Sequence, residues 1–111
     1  MTARMRRVDE ALREVLSDAV FSDLQDPRIG FVTVTDVKTS NDLSQARVYV
    51  SVFGTQEERD ATMAGLTSAA GVLQARVNAE LTMKRTPTLT FVYDDTAERA
   101  QQVERLLREQ R

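Results

Sequence analysis

Apolar residues in the first fifth of the chain recur at Val8, Ala11, Leu12, Val15, Leu16, Ala19 and Val20, with Asp9, Glu10, Arg13, Glu14, Ser17 and Asp18 filling the gaps. That spacing predicts a helix with one dry face and one wet face. Burying those seven side chains contributes on the order of 10 kcal/mol before entropy is counted. The helix must stop by Asp26-Pro27, because a residue before proline avoids helical dihedrals.

The period then changes. Ile29 to Lys38 is rich in Val, Thr and Phe, and Ala46, Val48, Val50 and Val52 alternate with Arg47, Tyr49, Ser51 and Phe53. Both read as strands. The polar stretch Thr39-Ser40-Asn41-Asp42 between them forms a turn, so the two pair antiparallel. Tyr49 and Phe53 fall on the face opposite the valines. Their position suits packing beneath helices better than stacking on bases.

Thr55 and Glu58 have capping-box spacing and open a helix to about Ser68. Gly71 interrupts the pattern, and Leu73, Val77 and Leu81 mark a second helix ending near Met83. Pro87 opens a third strand with Leu89, Phe91 and Tyr93 on one face. Asp95 and Glu98 resemble a second capping box, and Ala100, Val103, Leu106 and Leu107 are expected to point inward from a last helix. The two helices between the second and third strands form a crossover that suits parallel pairing. The order predicts one α+β domain over residues 1–111, with a three-stranded sheet covered by helices on one face.

Composition narrows the chemistry. The 111 residues contain no cysteine and no histidine. Thiol catalysis, disulfides and zinc-thiolate sites are excluded, and the commonest general base is absent. No apolar run reaches the length of a membrane span, and no hydrophobic signal region follows the basic N-terminus, which points to the cytoplasm. The net charge of -2 gives no support to nucleic-acid binding, though local clustering matters more than the sum.

Several short motifs occur together in order: Arg6-Arg7-Val8, Asp26-Pro27-Arg28-Ile29-Gly30, Val32-Thr33-Val34-Thr35, Asn41-Asp42-Leu43, Val48-Tyr49-Val50-Ser51, Ala69-Ala70-Gly71, Lys84 three residues before Pro87, then Leu89, Phe91 and Asp94. In this combination the chain resembles the ribosome-binding factor A family over nearly its whole length. The resemblance implies a type II K-homology-like fold with a C-terminal helix, in which the usual Gly-x-x-Gly loop is replaced by an Ala-x-Gly kink. It implies a non-enzymatic, cofactor-free factor for ribosome biogenesis that binds the immature 30S subunit. Such a factor assists late 16S rRNA maturation, including the 5′ end, and supports growth in the cold. It implies 16S rRNA and the 30S subunit as partners, with ribosomal proteins and an assembly GTPase as further candidates, and a monomer in solution. Lys84 stands where an arginine is usual, and Gln74, Ala79 and Thr82 where a basic residue is often found.

The candidate RNA contacts are Arg4, Arg6, Arg7, Lys38, Ala69, Ala70, Gly71, Arg76, Lys84 and Arg85. Arg4, Arg6 and Arg7 sit at a helix N-terminus, where cations oppose the macrodipole unless phosphates compensate them; the plain alternative is a solvated basic tip. Around Gly71 the small residues leave room for a sugar-phosphate backbone near the free N–H groups of the next helix; the alternative is an ordinary turn. Arg76 and Lys84 lie near one helix face, and Glu80, four residues from each, offers both a surface ion pair instead. Arg28 is assigned to Asp26 rather than to RNA. Arg47, with Lys38, is a peripheral candidate on the first hairpin. Asp94-Asp95 is read as helix capping in preference to metal binding. The expectation common to these assignments is a contiguous positive surface beside the Ala69–Gly71 bend. Two rival functions remain: a protein–protein adapter acting on a ribosomal protein, and a nuclease working through Asp94 and Asp95.

Overall fold

In the computed structural model, residues 2–110 are described. Met1 and Arg111, the outermost positions of the expected 1–111 domain, lie outside them. The elements run α1 (Ala3–Ser22), β1 (Val32–Thr39), β2 (Gln45–Val52), α2 (Gln56–Ser68), α3 (Ala70–Glu80), β3 (Thr88–Tyr93) and α4 (Thr96–Glu109). The sheet order is β1-β2-β3, with β1 and β2 antiparallel and β2 and β3 parallel. This is the expected K-homology-like α+β arrangement.

Helices cover one face of the sheet. Val34, Val37, Ala46, Val48, Val50, Val52 and Leu89 meet Leu12, Leu16 and Ala19 of α1, Leu66 of α2 and Leu73 and Val77 of α3 in one core. The predicted stripe of α1 therefore faces inward. Asp9, assigned to the wet face, is buried as well. Its Oδ1 accepts from the Thr39 N–H at 3.0 Å and the Thr39 hydroxyl at 2.7 Å. The capping box at Thr55 and Glu58 forms as the spacing predicts.

Element bounds differ where a local partner outcompetes propensity. β1 starts at Val32 rather than Ile29. The Ile29 N–H donates to the Asp26 carbonyl and the Gly30 N–H to Thr62 Oγ1, which ties this segment to α2 and away from the ladder. α3 stops at Glu80, where Leu81 turns extended, three residues before the expected end at Met83.

Two expectations are overturned. Tyr49 and Phe53 do not pack beneath helices, because the helices sit on the valine face; Phe53 is 83% exposed. Ala100, Val103, Leu106 and Leu107 do not turn inward, and α4 buries no residue. Its start is not capped by Asp95 and Glu98 either. Asp94 Oδ1 accepts from the Thr96 N–H at 3.0 Å, while Glu98 takes the Tyr93 hydroxyl and pairs with Arg59 of α2. The Arg59 guanidinium also lies 4.2 Å over the Tyr93 ring. α4 is thus tethered at its first turn, and its apolar side chains stay in solvent.

Candidate nucleic-acid interface

Three segments meet at one end of the molecule. The first turns of α1 carry Arg4, Arg6 and Arg7, with Thr2 as N-cap and no acidic residue in the first turn. On one flank, Arg4, Arg7, Val8 and Ala11 share a groove with Leu81, Thr82 and Met83, just before Lys84 and Arg85. On the other flank, Thr2, Arg4, Met5 and Val8 border the β1–β2 turn at Asn41, Asp42 and Leu43. The Thr88 N–H donates to the Ser44 carbonyl, which brings the start of β3 to the same end.

Ion pairing separates the cations into two groups. Arg13, Arg28, Arg59, Arg76, Arg99 and Arg108 each hold a carboxylate. Among the described residues Arg4, Arg6, Arg7, Lys84 and Arg85 hold none, nor do Lys38 and Arg47 on the sheet. These seven lie toward the end where α1 begins; Arg105, on the exposed α4, is a further cation without a carboxylate among the described residues. A net charge of -2 therefore conceals a polar distribution: unpaired cations gather at that end, while Asp18, Asp23 and Asp26 lie around the far end of α1. Arg28 follows expectation, with Asp26 gripping its N–H and its guanidinium. That pair holds the Asp26 carboxyl below its ordinary range.

Arg76 belongs to the fold and offers no free charge. α3 runs antiparallel to α1, which sets Arg76 against Asp23 at 2.8 Å and against Asp18, while Glu80 takes its Nε at 3.1 Å. These carboxylates, Asp23 foremost, push the guanidinium pKa further up. Three acids on two helices already surround it, and a phosphate reaching Arg76 would have to displace them.

The Ala69–Gly71 bend lies at the other end of α3 from Lys84 and Arg85, roughly 16 Å along the axis. The single patch expected beside the bend is not formed; the basic cluster sits at the opposite end of the same helix. The bend keeps features of its own. Ala69 closes α2 and opens α3 with no side-chain cap, so the first N–H groups of α3 stay available. A Cβ placed on Gly71 would meet nothing within 4 Å, and the residue is exposed. Neither backbone conformation nor packing within the chain demands glycine there. At Gly65, by contrast, a Cβ would come within 2.7 Å of Ile29 Cγ1.

The sheet face without helices holds groups that sequence patterning undervalued. Lys38 and Arg47 are direct partners across β1 and β2. Phe31 is 82% exposed, and the Phe53 N–H donates to its carbonyl. Register supplies the missing signal: pairing the strands through the Thr39–Asp42 turn already sets Lys38 near Arg47. Asp94 is occupied by Thr96 and Thr35, which hold it below its ordinary carboxyl range. No group of three or more potential ligand side chains that could hold a metal occurs among the described residues.

Comparison with known proteins gives a consistent result. The sequence pattern of the ribosome-binding factor A family matches residues 4–107. A ribosome-binding factor A from Halothermothrix orenii is 42% identical over 105 residues, covering 95% of this chain and 86% of that protein. The crystal structure of ribosome-binding factor A from Thermus thermophilus superposes with a TM-score of 0.73 at 28% identity, covering 80% of this chain and 93% of that one. A Thermus thermophilus homology model of the same factor, fitted into the cryo-EM map of a 30S–RbfA complex, superposes with a TM-score of 0.65 at 30% identity, covering 78% and 91%.

Proposed function

The chain belongs to the ribosome-binding factor A family, and from that premise we propose that it binds the immature 30S subunit by gripping 16S rRNA phosphates with the basic end of α1 and the segment after α3. The observation that carries this reading is the convergence of Arg4 and Arg7 on the Leu81–Met83 segment. Such positions cost stability in the free protein, because cations at a helix N-terminus oppose the macrodipole. Phosphates remove that cost. A relative has been placed on a 30S particle, which supports the small subunit as partner.

Arg4, Arg6, Arg7, Lys84 and Arg85 act as phosphate contacts, and Ala69, Ala70 and Gly71 provide a second, uncharged approach where a backbone comes close to the start of α3. Recognition at these places is of shape and phosphate position. The role is to hold the 16S rRNA during late maturation, including that of its 5′ end. No reaction is catalysed; chemical energy enters through partner factors, an assembly GTPase among them.

Co-sedimentation with immature and mature small subunits tests the proposal. The wild-type chain should pellet with immature particles. Charge reversal at Arg6, Arg7 and Lys84 should release it, with binding that weakens as salt rises. Binding that survives both charge reversal and high salt overturns the phosphate reading in favour of a protein adapter.

A further inference from the structure

The uncovered face of the sheet differs chemically from a merely solvated one. Along β2 it presents Arg47, Tyr49 and Ser51, and along β1 Thr33, Asp36 and Lys38. Beyond the strand ends Phe53 and Phe31 stand opposite each other across an added backbone bond of 3.0 Å, at the rim of this face, where they border a pocket shared with Arg28 and with Glu58, Ala61 and Thr62 of α2.

Two features are unfavourable in the isolated protein. Lys38 and Arg47 are like charges directly opposed across a ladder, which is destabilising, and neither holds a carboxylate among the described residues. At the other end of the face, two phenyl rings stand 82% and 83% exposed. The two features are complementary to a single kind of ligand. Cations at one end suit phosphates, and planar rings about 20 Å further along the strands suit unstacked bases. Three acidic groups border the Lys38 end of this face, and one of them is neutralised by a cation. Asp94 accepts from Thr35 and Thr96, Asp95 holds Arg99, and Asp36 accepts the Val37 N–H.

We propose that this open face is a second RNA site, a platform for a short single-stranded segment whose phosphates meet Lys38 and Arg47 and whose bases stack on Phe53 and Phe31. The inference rests on the chain being an RNA-binding protein but uses none of the five cations assigned above as phosphate contacts. A duplex keeps its bases stacked on one another and offers the phenyl rings nothing. The face therefore selects single strands, with little sequence preference.

The test is a fluorescence-anisotropy titration of the full chain with labelled oligoadenylate, single-stranded and annealed to its complement. Wild type should bind the single strand more tightly than the duplex. Replacing both rings (Phe31→Ala with Phe53→Ala) should weaken single-strand binding about tenfold or more. Replacing both cations (Lys38→Gln with Arg47→Gln) should weaken it too and reduce the salt slope by roughly 1.4, about 0.7 for each phosphate contact. All four side chains are exposed, so the ring variant should melt with wild type, and the cation variant at or slightly above it once the opposed like charges are gone. Arg7→Glu with Lys84→Glu should lose small subunits yet keep the preference for single strand over duplex and its dependence on the two rings, which separates this site from the other. Failure of wild type to bind the single strand, or unchanged affinity on ring removal, overturns the platform. So does loss of subunit binding by the ring variant with no oligomer binding in wild type, which assigns the face to a protein partner. A subunit experiment that fails while the oligomer data hold overturns only the α1–α3 proposal.

Discussion

One oxygen of Asp9 accepts two hydrogen bonds from Thr39, thirty residues away, and so fixes the second turn of α1 to the last residue of β1. Both residues are buried. Truncating one partner leaves a buried polar group unsatisfied, which costs more than the bond itself. Asp9→Ala should destabilise the protein by about 2 kcal/mol. Urea denaturation reads this as a lower midpoint at constant slope. A double-mutant cycle with Thr39→Val should show the two losses to be non-additive.

Two glycines on neighbouring helices should respond oppositely to alanine. At Gly65 a Cβ would lie 2.7 Å from Ile29 Cγ1, a mid-chain atom that moves only with its residue. Gly65→Ala should therefore cost about 1–3 kcal/mol, partly recovered when Ile29 is shortened to alanine. Gly71 has open space around it. Gly71→Ala should raise stability by up to about 1 kcal/mol through helix propensity. The same substitution should weaken binding to immature subunits if a backbone approaches the bend. Thermal melts and co-sedimentation on the same samples check both halves.

Asp42 gives a pH dependence with a definite sign. Hydrogen bonds from the Ser44 hydroxyl first, then the Ser40 hydroxyl and the Ser44 N–H, bring its carboxyl from 3.8 to about 2. A carboxyl with a depressed folded pKa contributes stability above its unfolded value and loses it as pH falls through the folded one. The melting-temperature gap between wild type and Asp42→Ala should be full above pH 4 and close as pH falls toward 2. An NMR titration of the Asp42 carboxyl should place its midpoint near the lower value.

The core of this fold was legible in the sequence because periodicity reports burial directly. Leu12, Leu16, Val48, Val50, Leu73 and Val77 were all assigned inward from spacing, and all are buried. Asp9 escaped because a polar residue on a helical pattern reads as wet, and its partner lies far along the chain. α4 failed for the converse reason: Val103, Leu106 and Leu107 have the right spacing, but spacing shows that a helix has an apolar face without showing what covers it. Among the candidate site residues, the ion pairs of Arg76 were not visible in the sequence because its acids at Asp18 and Asp23 come from another helix. Only the antiparallel packing of α3 on α1 brings them together. Register was the recoverable part, since Lys38 and Arg47 follow from the turn between their strands.

The tether of α4 predicts uneven dynamics along the chain. Glu98 binds Tyr93 and Arg59, and beyond it no described residue is buried. Amides in the later turns of α4 should exchange with solvent far faster than those of α1, whose Leu12 and Leu16 are wholly buried. Glu98→Ala should raise exchange in the first turn of α4 as well. Native-state hydrogen exchange followed by NMR resolves both.

Arg76 and Lys84 sit on the same helix and the loop that follows it, yet their substitution should produce opposite phenotypes. Arg76 neutralises Asp18, Asp23 and Glu80. Its removal leaves three carboxylates facing one another between α1 and α3, so Arg76→Ala should lower stability by about 1 kcal/mol. The salt dependence of subunit binding should not change, because no phosphate loses a partner. Lys84 holds no carboxylate among the described residues. Lys84→Ala should leave the melting temperature where it is and reduce the slope of log affinity against log salt by roughly 0.7 to 0.9, one phosphate contact. Measured together, the two variants separate a cation that holds the helices from one that holds RNA. An Arg76→Ala protein with wild-type stability and a flattened salt slope would return Arg76 to the interface and require Asp18 and Asp23 to release it on binding.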